Sequence, residues 1–248
     1  MPNLNLHQLR FFTQDKLLGI VCLAIFATIL FVLSSLLYPY ELSAQVSNEL
    51  GTVMQVLSYS AGHQGFLITL AILGVITLWV TRASKHKVIL IAQLGLLLVF
   101  SFGAKTFLKQ WTESPRPYTH ELAAEGLLSS PEQFYTLVST DQNQIIVLAS
   151  DEVSQWRTKH WLGETDYSFP SGHTIFVAVC VLFFAGLFAN HQYPILSSLV
   201  ILWAVGVATS RLWLGMHRPE DLFGSLAFAL VLFLIVPSAD SKFRLLSK

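Results

Sequence analysis

Six stretches of this chain are each apolar over nearly the length a helix needs to cross a bilayer, and nothing else in it limits the fold as much. They run 17–38, 65–82, 88–106, 172–190, 194–210 and 220–237. A hydrocarbon core of about 30 Å takes roughly 20 apolar residues at 1.5 Å each. Backbone polar groups in lipid must be satisfied within their own segment, so each stretch is expected to be helical. The alternative is a set of buried core helices in a soluble protein, and six of them in 248 residues is hard to reconcile with that. Charged residues make up only 12% of the chain, against about a quarter in soluble domains. The expectation is an all-α integral membrane protein of six transmembrane helices, forming one domain over 1–248.

The first stretch is too long for the apolar core of a signal peptide and reads as a retained span. Acidic and basic side chains balance at 15 each, which gives no reason to expect nucleic acid as partner. Cys22 and Cys180 both lie in apolar runs. They suggest neither a disulfide framework nor a zinc pattern, and no metal or other cofactor is expected.

Lysine and arginine in short connections set orientation. Arg10 and Lys16 precede or open the first span, Arg82, Lys85 and Lys87 lie between the second and third, and Lys242, Arg244 and Lys248 follow the last. The loop 39–64 has Glu41 and Glu49 but no Lys or Arg. Both termini are therefore expected in the cytoplasm, with the opposite face external. Lys105, Lys109, Arg116, Arg157, Lys159, Arg211 and Arg218 fall on that opposite face.

Between spans three and four lies a polar stretch, 107–169, with Pro115, Pro117, Pro131 and a helix-compatible run near 144–162. At roughly 60 residues it exceeds an ordinary connection and reads as a small external helical insert. Its Trp111, Trp156 and Trp161 suit headgroup level.

Three polar clusters reach the same predicted face. In "KTFLKQWTESPRPY", Lys105 and Lys109 are four apart and share a helix face, while Pro117 pushes Arg116 towards an extended shape. A guanidinium on so stiff a turn suits a phosphate; the same cations, taken alone, also suit snorkelling to lipid head groups. In "FPSGHTIF", Ser171 can cap the coming helix, Gly172 admits close backbone approach, and His173 in the first turn could protonate a leaving oxygen. In "SRLWLGMHRPED", His217 and Asp221 are four apart, the spacing of an imidazole held by a carboxylate and free to attack through its other nitrogen. Arg211 offers another fork for phosphate; the plainer reading is an Arg211–Asp221 salt bridge in a polar hairpin. Polar and charged groups like these at membrane depth are functional candidates by default.

Together the clusters resemble the tripartite motif of the type 2 phosphatidic acid phosphatase superfamily. The motif positions are Lys109…Arg116-Pro117, Pro170-Ser171-Gly172-His173 and Ser210-Arg211…His217…Asp221. The resemblance implies that His217 attacks phosphorus to form a phosphohistidine, that Asp221 orients it, and that His173 protonates the leaving oxygen. Lys109, Arg116, Ser171, Gly172 and Arg211 would hold the phosphoryl oxygens, with Lys105 beside them. It implies a metal-independent phosphatase acting on membrane lipids: phosphatidylglycerol phosphate, phosphatidic acid and its relatives, and undecaprenyl pyrophosphate. Two other readings remain open, a phosphotransferase using a polyprenyl pyrophosphate donor and a non-enzymatic lipid-binding or transport protein. Glu164 and Asp166 read as solvated loop carboxylates.

Overall fold

The structure is a computed structural model that describes residues 13–84 and 86–238. Among those residues it is helical, and each of the six apolar stretches falls on a helix. Helix α1 is Gln14–Leu37, α3 Phe66–Val80, α4 Lys87–Thr112, α10 Pro194–Trp213 and α11 Pro219–Ile235. The fourth stretch is α8, Gly172–Cys180, which passes through a π-helical turn at Val181–Ala185 into α9, Gly186–Asn190. Four continuous helical runs are long and apolar enough to cross a membrane: those of α1, α4, α8–α9 and α10. A fifth crossing arises if α3 is counted with the helix before it, to which it is bent by 71°.

That preceding helix, α2 (Asn48–Ala61), lies inside the segment read from sequence as a loop. Ser47 caps its start by accepting from the Leu50 N–H. It packs along α10, where Leu57 meets Gly206 and the Trp203 indole donates to Ser60.

The α8–α9 run is the axis of the bundle and is almost wholly buried, with α1, α10 and α11 around it. Its contact with α1 is backbone to backbone. A Cβ on Gly19 would lie 2.1 Å from the Leu182 carbonyl oxygen, and one on Gly186 would lie 2.6 Å from Gly19 Cα. Small residues permit that approach, which supplies the van der Waals contact that lipid cannot. The outward faces carry exposed Leu17, Phe31, Leu67, Val75, Val99 and Ile195, apolar groups that only lipid would solvate favourably.

Lys16 was counted among the connection charges, but it is buried in α1. Its ammonium donates to the carbonyls of Leu234 (3.2 Å) and Val236 (2.6 Å), closing the end of α11. Beside it, Thr13 Oγ1 and Ser238 Oγ are 3.2 Å apart. Arg10, Lys85, Lys242, Arg244 and Lys248 lie outside the described residues.

The 107–169 segment has a hydrophobic core of its own. It contains α5 (Pro117–Ala124), a 3-10 turn at Pro131–Thr136, α6 (Ser139–Leu148) and α7 (Gln155–Trp161). The single helical run read near 144–162 is thus two short helices, because Ser154 caps a new start. Tyr118, Leu122, Phe134, Ile146 and Trp161 pack together and continue into Trp213, Leu214 and Met216. Trp161 is fully buried, stacked on Tyr118, with its indole donating 2.7 Å to the Leu214 carbonyl. It is a core residue, not a headgroup anchor, whereas Trp111 is 75% exposed. The Arg157 guanidinium lies over the Trp213 ring and donates to the Trp213 carbonyl. The insert therefore grips 213–216, the stretch that delivers His217.

Candidate active site

Each of the three clusters is placed by a helix end. Arg116 is the N-cap of α5 in extended backbone (φ −71°, ψ 149°), with Pro117 at the first helical position, where its missing N–H costs nothing. Ser171 caps α8 by accepting from the Thr174 N–H (3.3 Å). Arg218 caps α11, again with proline first, and its N–H donates 2.9 Å to Asp221 Oδ2. Gly215, at φ +69°, turns the chain between α10 and α11, a conformation that favours glycine.

These ends enclose a cavity of about 420 Å³ lined by Lys105, Lys109, Arg116, Gly172, His173 and His217. Ser171, Arg211 and Asp221 are not among its lining residues. Ser171 uses its hydroxyl as the cap and gives its N–H to Ser225 Oγ at 2.9 Å. Asp221 reaches the cavity through His217, whose Nδ1 is 3.5 Å from Asp221 Oδ2. With Nδ1 on that side, Nε2 is the ring nitrogen left for the cavity. Burial, followed by the charges of Arg116, Arg211 and Lys109, pushes the His217 imidazole well below its ordinary range, so it is neutral at pH 7.

The two carboxylates read as solvated are instead bound to the cations. Glu164 Oε2 is 2.6 Å from Arg211 and 3.9 Å from Arg116. Asp166 pairs with Arg116 and lies 3.1 Å from Lys109 Nζ. Burial pushes the Glu164 carboxyl up, but Arg211, His173, Arg116 and His217 outweigh it and hold it well below the usual carboxylate range. Asp166, more exposed, is brought down to about 2, since Arg116 and Lys109 outweigh its partial burial. The plainer sequence reading, an Arg211–Asp221 bridge, is not what forms. Arg211 pairs with Glu164 and donates 2.7 Å to Ser58.

Several other participants carried no motif. Ser168 donates to Asp221 and lies 3.3 Å from His217 Nδ1. Ala61, Gly62, His63 and Phe66, at the break between α2 and α3, form one wall of the cavity. A Cβ on Gly62 would lie 2.8 Å from His173 Nε2, so only glycine leaves that imidazole its place. Gly172 has a similar role. A Cβ there would meet Lys105 Cδ at 2.7 Å, so the bare backbone makes room for a lysine stem. Among the described residues no three His, Cys, Asp or Glu side chains converge as metal ligands.

A buried imidazole held by a carboxylate, beside fixed cations and a second imidazole, is the equipment for phosphoryl transfer. The chain belongs to the PAP2 superfamily, whose family model matches residues 87–244. Among curated relatives it is similar to phosphatidylglycerophosphatase B of Escherichia coli strain K12, 33% identical over 155 residues that make up 58% of each chain. The matched segment is thus less than two thirds of that relative. The Haemophilus influenzae protein of the same name is 33% identical over 164 residues, 63% of this chain and 68% of the relative. A solved transmembrane PAP2-type phosphatidylglycerolphosphate phosphatase from Bacillus subtilis aligns over 90% of this chain and 94% of its own, with 18% identity and a TM-score of 0.49.

Proposed function

We propose that this protein is a lipid phosphatase, a phosphoric monoester hydrolase working through a phosphohistidine. The observation that carries the reading is the His217–Asp221 pair opening onto the cavity shared by Lys109, Arg116 and His173. His217 Nε2 attacks phosphorus and the P–O bond to the lipid breaks. His173, which takes up a proton when the phosphate dianion lies beside it, gives that proton to the departing oxygen. It then takes a proton from water, whose oxygen attacks the phosphohistidine and releases inorganic phosphate and free imidazole. Asp221 and Ser168 hold Nδ1 throughout. Lys109 and Arg116, with the backbone at Gly172, stabilise the equatorial oxygens, and Arg211 adds its charge from behind the lining, the electrostatic term that usually dominates such transfers. In this reading those cations supply the positive charge that magnesium provides in other phosphoryl transfers.

Lipid phosphates are the substrates the setting favours. The cavity is lined by cations and also by Phe66 and Phe102, so a phosphate can be held while its chains stay in apolar surroundings. The relatives' shared name supports phosphatidylglycerol phosphate as one substrate; phosphatidic acid and undecaprenyl pyrophosphate present the same phosphate and tail. The topology in this reading is six crossings by α1, α3, α4, α8–α9, α10 and α11. The site and the 107–169 insert face the periplasm, and both termini are cytoplasmic. The test is phosphate release from phosphatidylglycerol phosphate in chelator, by wild type and His217→Ala, with acid-labile phosphate trapped on the wild type. Release undiminished in the variant would sink the reading.

A further inference from the structure

Helices α3 and α4 follow one another through the 81–86 connection, yet they make no extended contact among the described residues. Between them lies a second cavity of about 160 Å³. It is at the opposite ends of these helices from Phe66 and Lys105, which line the catalytic cavity. Gly74, Leu78, Leu90 and Leu94 form its sides, and the buried Phe183 and Phe184 of the π-helical turn close it. Leu78 and Ile91 in the lining are 49% and 62% exposed, so it opens sideways, onto the surface that lipid would cover.

Three polar side chains, Thr77, Thr81 and Lys87, break this apolar lining. Lys87 opens α4 and Thr81 caps the end of α3, so both stand at the rim. Thr77 is four residues further into α3, an advance of about 6 Å. The Thr81 hydroxyl is spent on the Thr77 carbonyl at 2.7 Å. The Thr77 hydroxyl is not: its side chain is 8% exposed and Oγ1 has no hydrogen-bond partner among the described residues. A buried hydroxyl in that state costs free energy unless a ligand supplies the partner. Lys87 donates 3.1 Å to the Arg82 carbonyl and makes no ion pair among the described residues. No Asp or Glu is in the lining.

We propose that this cavity is a binding site for an anionic glycerophospholipid, separate from the catalytic cavity. Its phosphate lies at Lys87, an ester carbonyl accepts from Thr77 Oγ1, and the start of that acyl chain runs against Phe183 and Phe184. Cation, hydroxyl donor and apolar channel follow one another inward in the order in which such a lipid presents phosphate, ester and chain. With Lys87 and Arg82 at the rim and no carboxylate to hold an ammonium, the site favours a headgroup of net negative charge. A hydrocarbon chain alone would leave Lys87 and Thr77 unanswered, which sets the site apart from ordinary lipid cover. Seated there, the lipid joins α4 to α3, the helix whose other end brings Phe66 into the wall of the catalytic cavity.

The test titrates the purified full chain, delipidated in an uncharged detergent, with phosphatidylglycerol, phosphatidylcholine or diacylglycerol of matched chains, and counts bound lipid by native mass spectrometry. Wild type should hold one phosphatidylglycerol roughly tenfold more tightly than either of the others. A Cβ at Gly74 meets open space, so Gly74→Leu fills the cavity without a clash and should abolish that one tight site. A lipid lodged in the catalytic cavity would be indifferent to this change. Lys87→Gln should erase the preference for the anionic lipid; its position is half-buried, and it keeps the test decisive should Gly74→Leu not fold. Thr77→Val should weaken binding several-fold, yet raise the unfolding temperature of the lipid-free protein, because the unpartnered hydroxyl is gone. Phosphatidylglycerol held equally well by Gly74→Leu, equal affinity of wild type for all three lipids, or a preference unchanged in Lys87→Gln would each overturn the proposal.

Discussion

The Ser168 hydroxyl donates to the Asp221 carboxylate and lies 3.3 Å from His217 Nδ1, so a residue outside every motif joins the two at the centre of the site. The bond also ties the segment before α8 to the first turn of α11. Ser168→Ala should lower kcat by ten- to a hundredfold with KM nearly unchanged, because a hydrogen bond to a charged group contributes about 1.5–3 kcal/mol. Asp221→Asn should cost more, on the order of a thousandfold, because the amide also fails to fix the tautomer. Steady-state kinetics on one lipid phosphate rank the two. A Ser168→Ala enzyme at full rate would make the serine merely structural.

Glu164 neutralises a guanidinium that has no exposed surface. Glu164→Gln leaves Arg211 buried with Ser58 and a neutral amide, and breaking a buried pair from one side costs about 3–5 kcal/mol. The glutamate is a quarter exposed, which puts the expectation at the low end or below it. Apparent unfolding temperature in detergent should fall. Inorganic phosphate, able to take the vacated place, should restore more of it in the variant than in wild type. A variant as stable as wild type, and indifferent to phosphate, contradicts this account of the pair.

His160 sets an acid limit on stability. Its ring is buried against Tyr59 with Nε2 unsatisfied, and burial, then Arg211, lowers its pKa to about 4. An unfolded histidine titrates near 6.5. Above that value both states are neutral and pH has no effect through this group. As pH falls from 6.5 towards 4 the unfolded chain takes up the proton and the folded one does not, so stability is lost across that window. The loss is on the order of 3 kcal/mol. Unfolding temperature measured from pH 7.5 to 4.5 should slope less in His160→Phe; parallel slopes would remove His160 as the source.

Gly62→Ala should act on His173 alone among the catalytic candidates. The new methyl would fall 2.8 Å from His173 Nε2, and also 2.8 Å from the Gln64 side chain, so the imidazole must move. If His173 protonates the leaving oxygen, the loss of rate should be large for phosphatidic acid, whose alcohol leaves poorly. It should be smaller for a pyrophosphate lipid, whose phosphate leaves easily. Equal loss on both would assign His173 to binding.

How far the sequence foretold this depends on what each residue answers to. The apolar stretches were legible because lipid demands a run of fixed length, and all six fall on helices. The helix start at Ser171 was legible because a cap is a local signal, whereas Pro117 and Pro219, which also open helices, were read only as stiff turn residues or not at all. Glu164 and Asp166 were misread because loop carboxylates are usually solvated. What binds them is Arg211 and Arg116, 47 and 50 residues away, and nothing local announces that. Trp161 was misplaced for the same reason, since its partner is the Leu214 carbonyl 53 residues on. Helix α2 was missed because its mixed polar and apolar side chains, read as a connection, pack against α10, which a linear reading does not see.

The near contact of Thr13 with Ser238 brings the two ends of the described bundle to one place. A chain that leaves one surface of a sheet-like barrier and is found at that surface again has traversed it an even number of times. With both hydroxyls at one surface, a short or bent helix taken as a traverse needs a companion, a condition that the proposed six crossings meet.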